Sequence, residues 1–305
     1  MVTTKQAMQD GNQAPYRIVA PSGPALPVVL SSPHSGRWYP PALLTQLRLA
    51  PELLRGLDDG PVDELLALAC DAGATLIAAT YPRAVVDLNR SELEQDPDTL
   101  DDPTALAGLR ATLKARAGLG VVPTRLMGEA IYPDRLSASE LQRRLAAAYH
   151  PYHARLSATV GQLQARFGAA LVLDCHSMPT LPGTARGERP IDVALGDRFG
   201  RSCDLRLVEA AERRLASAGL RVARNRPYAG GHITERYGEP GRGSHALQLE
   251  LRRGLFMDEH SHAPNAGFPT LRALLGELVE ALAGAVLALP AARRVATPSV
   301  AAACA

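Results

Sequence analysis

LVLDCHS, residues 171–177, decides the fold. Three apolar residues run without alternation and end at an acid, a cysteine and an imidazole, so a strand is predicted over Ala169–Cys175. A strand apolar on both sides belongs in a sheet covered by helices on both faces. In such sheets chemistry collects just beyond the carboxyl ends of strands. Asp174 and His176 therefore stand where a ligand and the group that orients it would be placed.

The pattern repeats outward from this stretch. Strands are predicted at Val28–Ser32, Thr75–Tyr81, Ala84–Asn89, Asp192–Gly196, Arg221–Asn225 and Ala246–Leu251. Helical patterns cover Val62–Asp71, Thr104–Ala115, Ala138–Arg166, Ser202–Ala218 and Thr270–Leu287. Their alternation predicts an α/β fold, a sandwich around a mixed, largely parallel sheet. No repeat or composition break divides the chain, so residues 1–290 read as one domain, with residues 1–15 flexible and 291–305 a flexible tail.

Composition narrows the function. The 305 residues are 46% hydrophobic, enough for a large core, and carry a formal net charge of +2 with no long basic run. Nucleic acid is not an expected partner. Cys70, Cys175, Cys203 and Cys304 stand singly, which argues against a disulfide framework or a zinc knuckle and fits a reducing, cytoplasmic setting. No secretory signal is visible, and Arg272, Glu277 and Glu280 interrupt the longest apolar segment, so no membrane span is expected. Neither a GxSxG elbow nor a phosphate-binding GxxxxGKS loop is present.

Other polar residues gather at predicted strand ends. VVLSSPHSG (28–36) places His34 where an apolar strand stops. TYPRAVVDLNR (80–90) supplies Arg83, Asp87, Asn89 and Arg90; LDDGPVDELL (57–66) supplies Asp58, Asp59, Asp63 and Glu64. HALQLELRR (245–253) carries Glu250 on an otherwise apolar ribbon. Two histidines and a carboxylate commonly hold zinc in catalytic sites, leaving a position for water. Each residue also has a plainer reading. His34 alone caps a turn, Asp58 and Asp59 suit the first turn of a helix, and Glu250 on an edge strand would face water. A buried, unpaired Glu250 would instead need a functional reason. His150 and His153 in AYHPYH lack an adjacent acid and read as packing residues, whereas His232, in a glycine-rich loop, is placed to touch a substrate.

The ordered series PHSG, DLNR, GEAIY, YHPYH, LVLDCHSMP, GDRFGRSCD, YAGGHITERYG and ALQLELRR, over roughly residues 25–260, resembles the N-formylglutamate amidohydrolase (deformylase) family. The resemblance implies a three-layer fold like that of the zinc carboxypeptidases and aspartoacylases. It implies hydrolysis of N-formyl-L-glutamate to formate and L-glutamate, a step of histidine degradation, with one divalent ion, Zn²⁺, and a small-molecule partner. By the same resemblance His34 and His176 match the imidazole ligands, Glu250 the general base, Arg83 an arginine near the scissile carbonyl and Arg90 the carboxylate clamp, helped by Asn89. Asp174 would orient a ligand. The His-x-x-Glu pattern of the carboxypeptidases is broken, because Arg37 stands three residues after His34. The middle ligand is then expected from the helix start, at Asp59 ahead of Asp63 and Glu64. The alternatives are a carboxypeptidase-like or aspartoacylase-like hydrolase of another N-acyl substrate, and a non-catalytic binding protein on the same scaffold.

Overall fold

The computed structural model describes residues 13–181 and 189–290. The expected flexibility of residues 1–15 and 291–305 falls mostly outside the described residues, at 1–12 and 291–305. The frame is one seven-stranded sheet. Its strands are β1 (Tyr16–Val19), β2 (Val28–Ser32), β3 (Thr75–Ala79), β4 (Ala170–Met178), β5 (Val193–Gly196), β6 (Val222–Arg224) and β7 (Ser244–Arg252). They lie in the order β1-β3-β2-β4-β7-β5-β6. β3, β2, β4 and β7 run parallel; β1 is antiparallel to β3, and β5 antiparallel to β7 but parallel to β6. The sheet is therefore mixed with a parallel centre, as the sequence predicts, and β2, β4 and β7 end at the same edge.

Side-chain alternation divides the core into two layers. On one face Leu30, Leu76, Leu171, Leu173, Cys175, Leu247 and Leu249 pack with helices α1 (Val62–Leu65), α2 (Ala67–Asp71), α5 (Leu205–Ser217) and α7 (Phe268–Leu287). On the other, Val29, Ile77, Val172 and Ala246 pack against α4 (His150–Phe167) through Tyr152, Leu156, Val160 and Leu163. Past the start of α4 this second face turns polar: Ser31 lies beside Asp174 and Asp174 beside Gln248, while His176 lies beside Glu250. One alternation thus builds a hydrophobic floor and then a row of ionisable groups at the carboxyl edge. No helix among the described residues is long and apolar enough to cross a membrane.

Two sequence expectations change. Ala84–Asn89 is not a strand. It is a turn-rich segment that buries Val85, Val86 and Leu88 without joining the sheet. Its backbone is satisfied elsewhere: Asp87 N donates to Val121 O at 2.7 Å, and the Tyr132 hydroxyl donates to Ala84 O at 2.9 Å. Burial without a ladder cannot be told from a strand by apolar spacing alone. Within the expected helix Thr104–Ala115, only Leu113 onward is helical, in the short turn Leu113–Arg116, which Thr112 caps. The predicted helix over Ala138–Arg166 is present as α3 (Ala138–Arg144) and α4, joined by a π-helical turn at Leu145–Tyr149.

Candidate active site

Three elements converge at the carboxyl edge. His34 follows β2, His176 lies near the end of β4, and Asp59 sits in the turn before α1. The turn is shaped by Gly60, at φ +70°, where an added Cβ would meet the Met257 sulfur at 2.6 Å. That positive φ favours glycine and lets the chain reverse immediately after Asp59. All three site residues are buried, and one ligand atom from each lies within 4.8 Å of the others. Asp59 Oδ2 is 2.8 Å from His176 Nδ1 and 3.4 Å from His34 Nδ1.

The opposite ring nitrogens are anchored by carboxylates. His34 Nε2 donates to Asp87 Oδ1 at 2.7 Å. His176 Nε2 lies 3.0 Å from Asp174 Oδ2, and the same oxygen accepts from Asn89 Nδ2 at 3.1 Å. A proton held at Nε2 by a carboxylate leaves Nδ1 as the lone-pair nitrogen and makes it more basic. Both imidazoles thus point their donor atoms at Asp59.

Electrostatics favour a cation between them. Burial opposes charge on His176, but the neighbouring Asp174 and Asp59 carboxylates outweigh it and raise its pKa well above the usual histidine range. Asp59 is pulled far below the usual carboxylate range by the two imidazoles despite its own burial. This donor set, two imidazole Nδ1 atoms and a carboxylate oxygen in a field of further carboxylates, suits a divalent ion. The two alternative ligands of the same helix start are engaged elsewhere: Asp63 pairs with Arg17 and Arg37, and Glu64 is exposed and pairs with Arg37. Asp59→Ala is therefore expected to weaken metal retention more than Asp63→Ala or Glu64→Ala. Metal content of the three purified variants after gel filtration checks this, and loss of metal in Glu64→Ala alone would move the ligand.

Glu250 lies in register beside His176 and is only 8% exposed. Its strand is central, between β4 and β5, so the exposed-edge reading of this residue does not hold. Burial pushes its carboxyl up to about 7, with Asp59 and Asp174 adding to the rise and His176 opposing it. Gln248 Nε2 donates to Glu250 Oε1 at 2.6 Å.

The segment from Arg83 to Arg90 adds further charged groups around Asp87, which holds His34. Arg83 Nε donates to Asp87 Oδ2 at 2.8 Å, and Arg90 Nε is 3.5 Å from the same oxygen. Asn89, expected to help hold substrate, spends its amide inside the protein. Its Nδ2 faces Asp174 and His176, and its Oδ1 accepts from Ile233 N at 2.8 Å. Gly231 makes this approach possible, since a Cβ there would stand 2.6 Å from the Asn89 amide. His232, which opens helix α6 (His232–Tyr237), lies 3.0 Å from the Tyr149 hydroxyl, and that hydroxyl donates to Arg90 O at 2.9 Å. His153 is a packing residue, as expected: its ring nitrogens lie 3.0 Å from Leu88 O and from the Tyr237 hydroxyl, and burial lowers its pKa to about 3.

Sequence reasoning left four nearby residues without a role. Asp87 does for His34 what Asp174 does for His176, and its place two residues before Asn89 was the available signal. Tyr228, in the loop before α6, is half-buried with Glu250, Arg253, Asp59 and Arg83 as its electrostatic neighbours. Ser177 and Arg253 fasten the Asp59 turn to the sheet.

Fold and site together define an α/β protein with a His–Asp–His group and a buried glutamate at the carboxyl edge of a mixed sheet. Residues 26–257 match the family model of N-formylglutamate amidohydrolase, and the chain belongs to that family. N-formylglutamate deformylase of Pseudomonas aeruginosa is 36% identical over 268 residues, covering 84% of this chain and 92% of that relative. The enzyme of the same name from Pseudomonas putida is 34% identical over 269 residues, with the same coverage. The crystal structure of N-formylglutamate amidohydrolase from Ralstonia eutropha JMP134 superposes with a TM-score of 0.84 at 39% identity, covering 90% of this chain and 98% of that one. A gene product of Agrobacterium tumefaciens, Atu2144, shares the fold at a TM-score of 0.61 and 22% identity, covering 87% of this chain and 94% of that one.

Proposed function

We propose that the protein hydrolyses N-formyl-L-glutamate to formate and L-glutamate, with a divalent ion, Zn²⁺, held by His34, Asp59 and His176. The observation that carries this reading is the placement of Glu250 beside His176 on adjacent central strands, in a chain of the amidohydrolase family. Two imidazoles and one carboxylate form a common catalytic zinc set, and a bound ion lowers the pKa of water toward about 7 and polarises a carbonyl.

The chain's own groups do the rest. Glu250, with its carboxyl raised to about 7 by burial, takes a proton from the attacking water and returns it to the leaving amine. Arg83, fixed through its Nε to Asp87, faces the charge that develops on the formyl oxygen. Arg90 grips a carboxylate of the glutamyl portion through its planar fork. His232, linked to the Arg90 backbone carbonyl through the Tyr149 hydroxyl, is a further group for the substrate to meet. Asp87 and Asp174, the latter accepting from Asn89 Nδ2, hold the imidazoles in the required tautomer. The substrate is a small dianion, which suits a site walled by two arginines.

The test is formate release from a panel of N-formyl and N-acetyl amino acids, before and after exhaustive chelation. Formate release from N-formylglutamate that zinc restores after chelation is expected. Full activity in the chelated protein would sink the metal reading, and preference for an N-acetyl substrate would favour an aspartoacylase-like activity. Arg90→Lys is expected to raise KM for N-formylglutamate with metal content unchanged, because an ammonium cannot make the bidentate contact. An unchanged KM would place the carboxylate clamp elsewhere.

A further inference from the structure

We propose that Arg253 is the positioning residue of the Asp59 carboxylate, locking its turn against β4 and engaging its outer oxygen so that Asp59 offers a metal one oxygen only. The inference rests on the reading of His34, Asp59 and His176 as the metal-holding group.

Arg253 is the first residue after β7. Its Nη2 donates to Asp58 O at 2.6 Å, and its Nε donates to Ser177 Oγ at 3.1 Å. Ser177 Oγ in turn donates to Asp59 O at 2.8 Å. The two consecutive carbonyls that frame Asp59 are thus both anchored, one by the guanidinium and one by the hydroxyl that the guanidinium orients. The carboxylate itself is divided: Oδ2 faces His176 Nδ1 at 2.8 Å, while Oδ1 faces Arg253 Nη2 at 3.7 Å. The Arg253 side chain is only 12% exposed and that of Asp59 only 6%, so this pair is little screened by water.

The consequence is geometric. A carboxylate with both oxygens free can chelate a cation and fill an extra position. With one oxygen drawn toward a fixed guanidinium, the other is presented alone, and a position remains for water or substrate, as an open catalytic site requires. Arg253 also joins three chain segments distant in sequence: the β7 end, the β4 end and the Asp59 turn. Groups that orient metal ligands typically contribute about 10–100-fold in metal affinity.

The experiment uses the full chain, stripped of metal and titrated with Zn²⁺ against a chromogenic chelator, in the wild type, Arg253→Met, Arg253→Lys and Ser177→Ala. Zn²⁺ affinity is expected to fall about 10–100-fold in both Arg253 variants and less in Ser177→Ala. KM for N-formylglutamate at saturating Zn²⁺ is expected to stay at the wild-type value. Melting of the metal-free proteins identifies any variant that fails to fold, and Arg253→Lys keeps the charge and most of the packing if the methionine variant does. Affinity for Zn²⁺ within about twofold of wild type in folded Arg253→Lys and Arg253→Met overturns the proposal, since the expected loss is at least about tenfold. A raised KM with unchanged Zn²⁺ affinity also overturns it and assigns Arg253 to the substrate. A wild-type chain that binds no Zn²⁺ removes the metal reading itself, an outcome distinct from both.

Discussion

Glu250→Gln is expected to fold, retain its metal and bind N-formylglutamate, yet turn it over about 10²–10⁴-fold more slowly, the range typical of a lost general acid–base group. The amide keeps the shape of the carboxylate and can still meet Gln248, whose Nε2 donates to Glu250 Oε1 at 2.6 Å, through its own oxygen. It cannot accept a proton from water. Glu250 is suited to that task because burial raises its carboxyl to about 7, so that near neutral pH it both takes and gives up a proton readily. A structural role predicts something different. In that case the swap would change stability, and turnover at saturating substrate would stay near wild type. Measuring kcat and metal content on one preparation decides: metal bound with near-wild-type kcat removes Glu250 from the mechanism.

His176→Ala is expected to lose both the metal and the activity, with formate release falling to the level of the chelated wild type. Three interactions meet on this ring. Its Nδ1 faces Asp59 at 2.8 Å, its Nε2 faces Asp174 at 3.0 Å, and Asn89 Nδ2 stands 3.0 Å from Nε2. Truncation removes one of the proposed ligands and takes from the buried Asp59 and Asp174 carboxylates the imidazole that both face, a costly loss. Elemental analysis of the purified variant, together with activity after addition of excess Zn²⁺, is the check. A variant that keeps about one ion per chain after gel filtration would show that His176 is not a ligand of a single catalytic zinc.

The two results would be read together. Loss of turnover with metal retained belongs to the proton-transfer group, and loss of metal belongs to the ligand group. Glu250 and His176 are neighbours in register on β7 and β4, so both sit on rigid strands, and neither substitution is expected to move the other's backbone.

The sequence by itself determined the sheet apart from its edge strand β1, and one edge of the site. Val28–Ser32 is a strand at the predicted bounds, and the apolar run ending at Asp174 and His176 is the central strand β4, because period-two burial and unbroken apolar runs are local properties of the chain. The ordered motifs were specific enough to identify the family. The structure alone decided which polar residues meet. Asp59 and His176 are 117 positions apart, and Asp58 and Arg253 are 195 apart, so no local spacing relates them. Asp59 rather than Asp63 faces the imidazoles because the turn at Gly60 aims one carboxylate at the strand ends while Arg17 and Arg37 hold the other. Asn89 reads from sequence as a substrate contact, yet its half-buried amide is used to join Asp174 to the start of α6, its nitrogen donating to one and its oxygen accepting from the other. Apolar spacing likewise could not separate the buried turn at Ala84–Asn89 from a strand, because burial and ladder formation are different things and only tertiary hydrogen bonding distinguishes them.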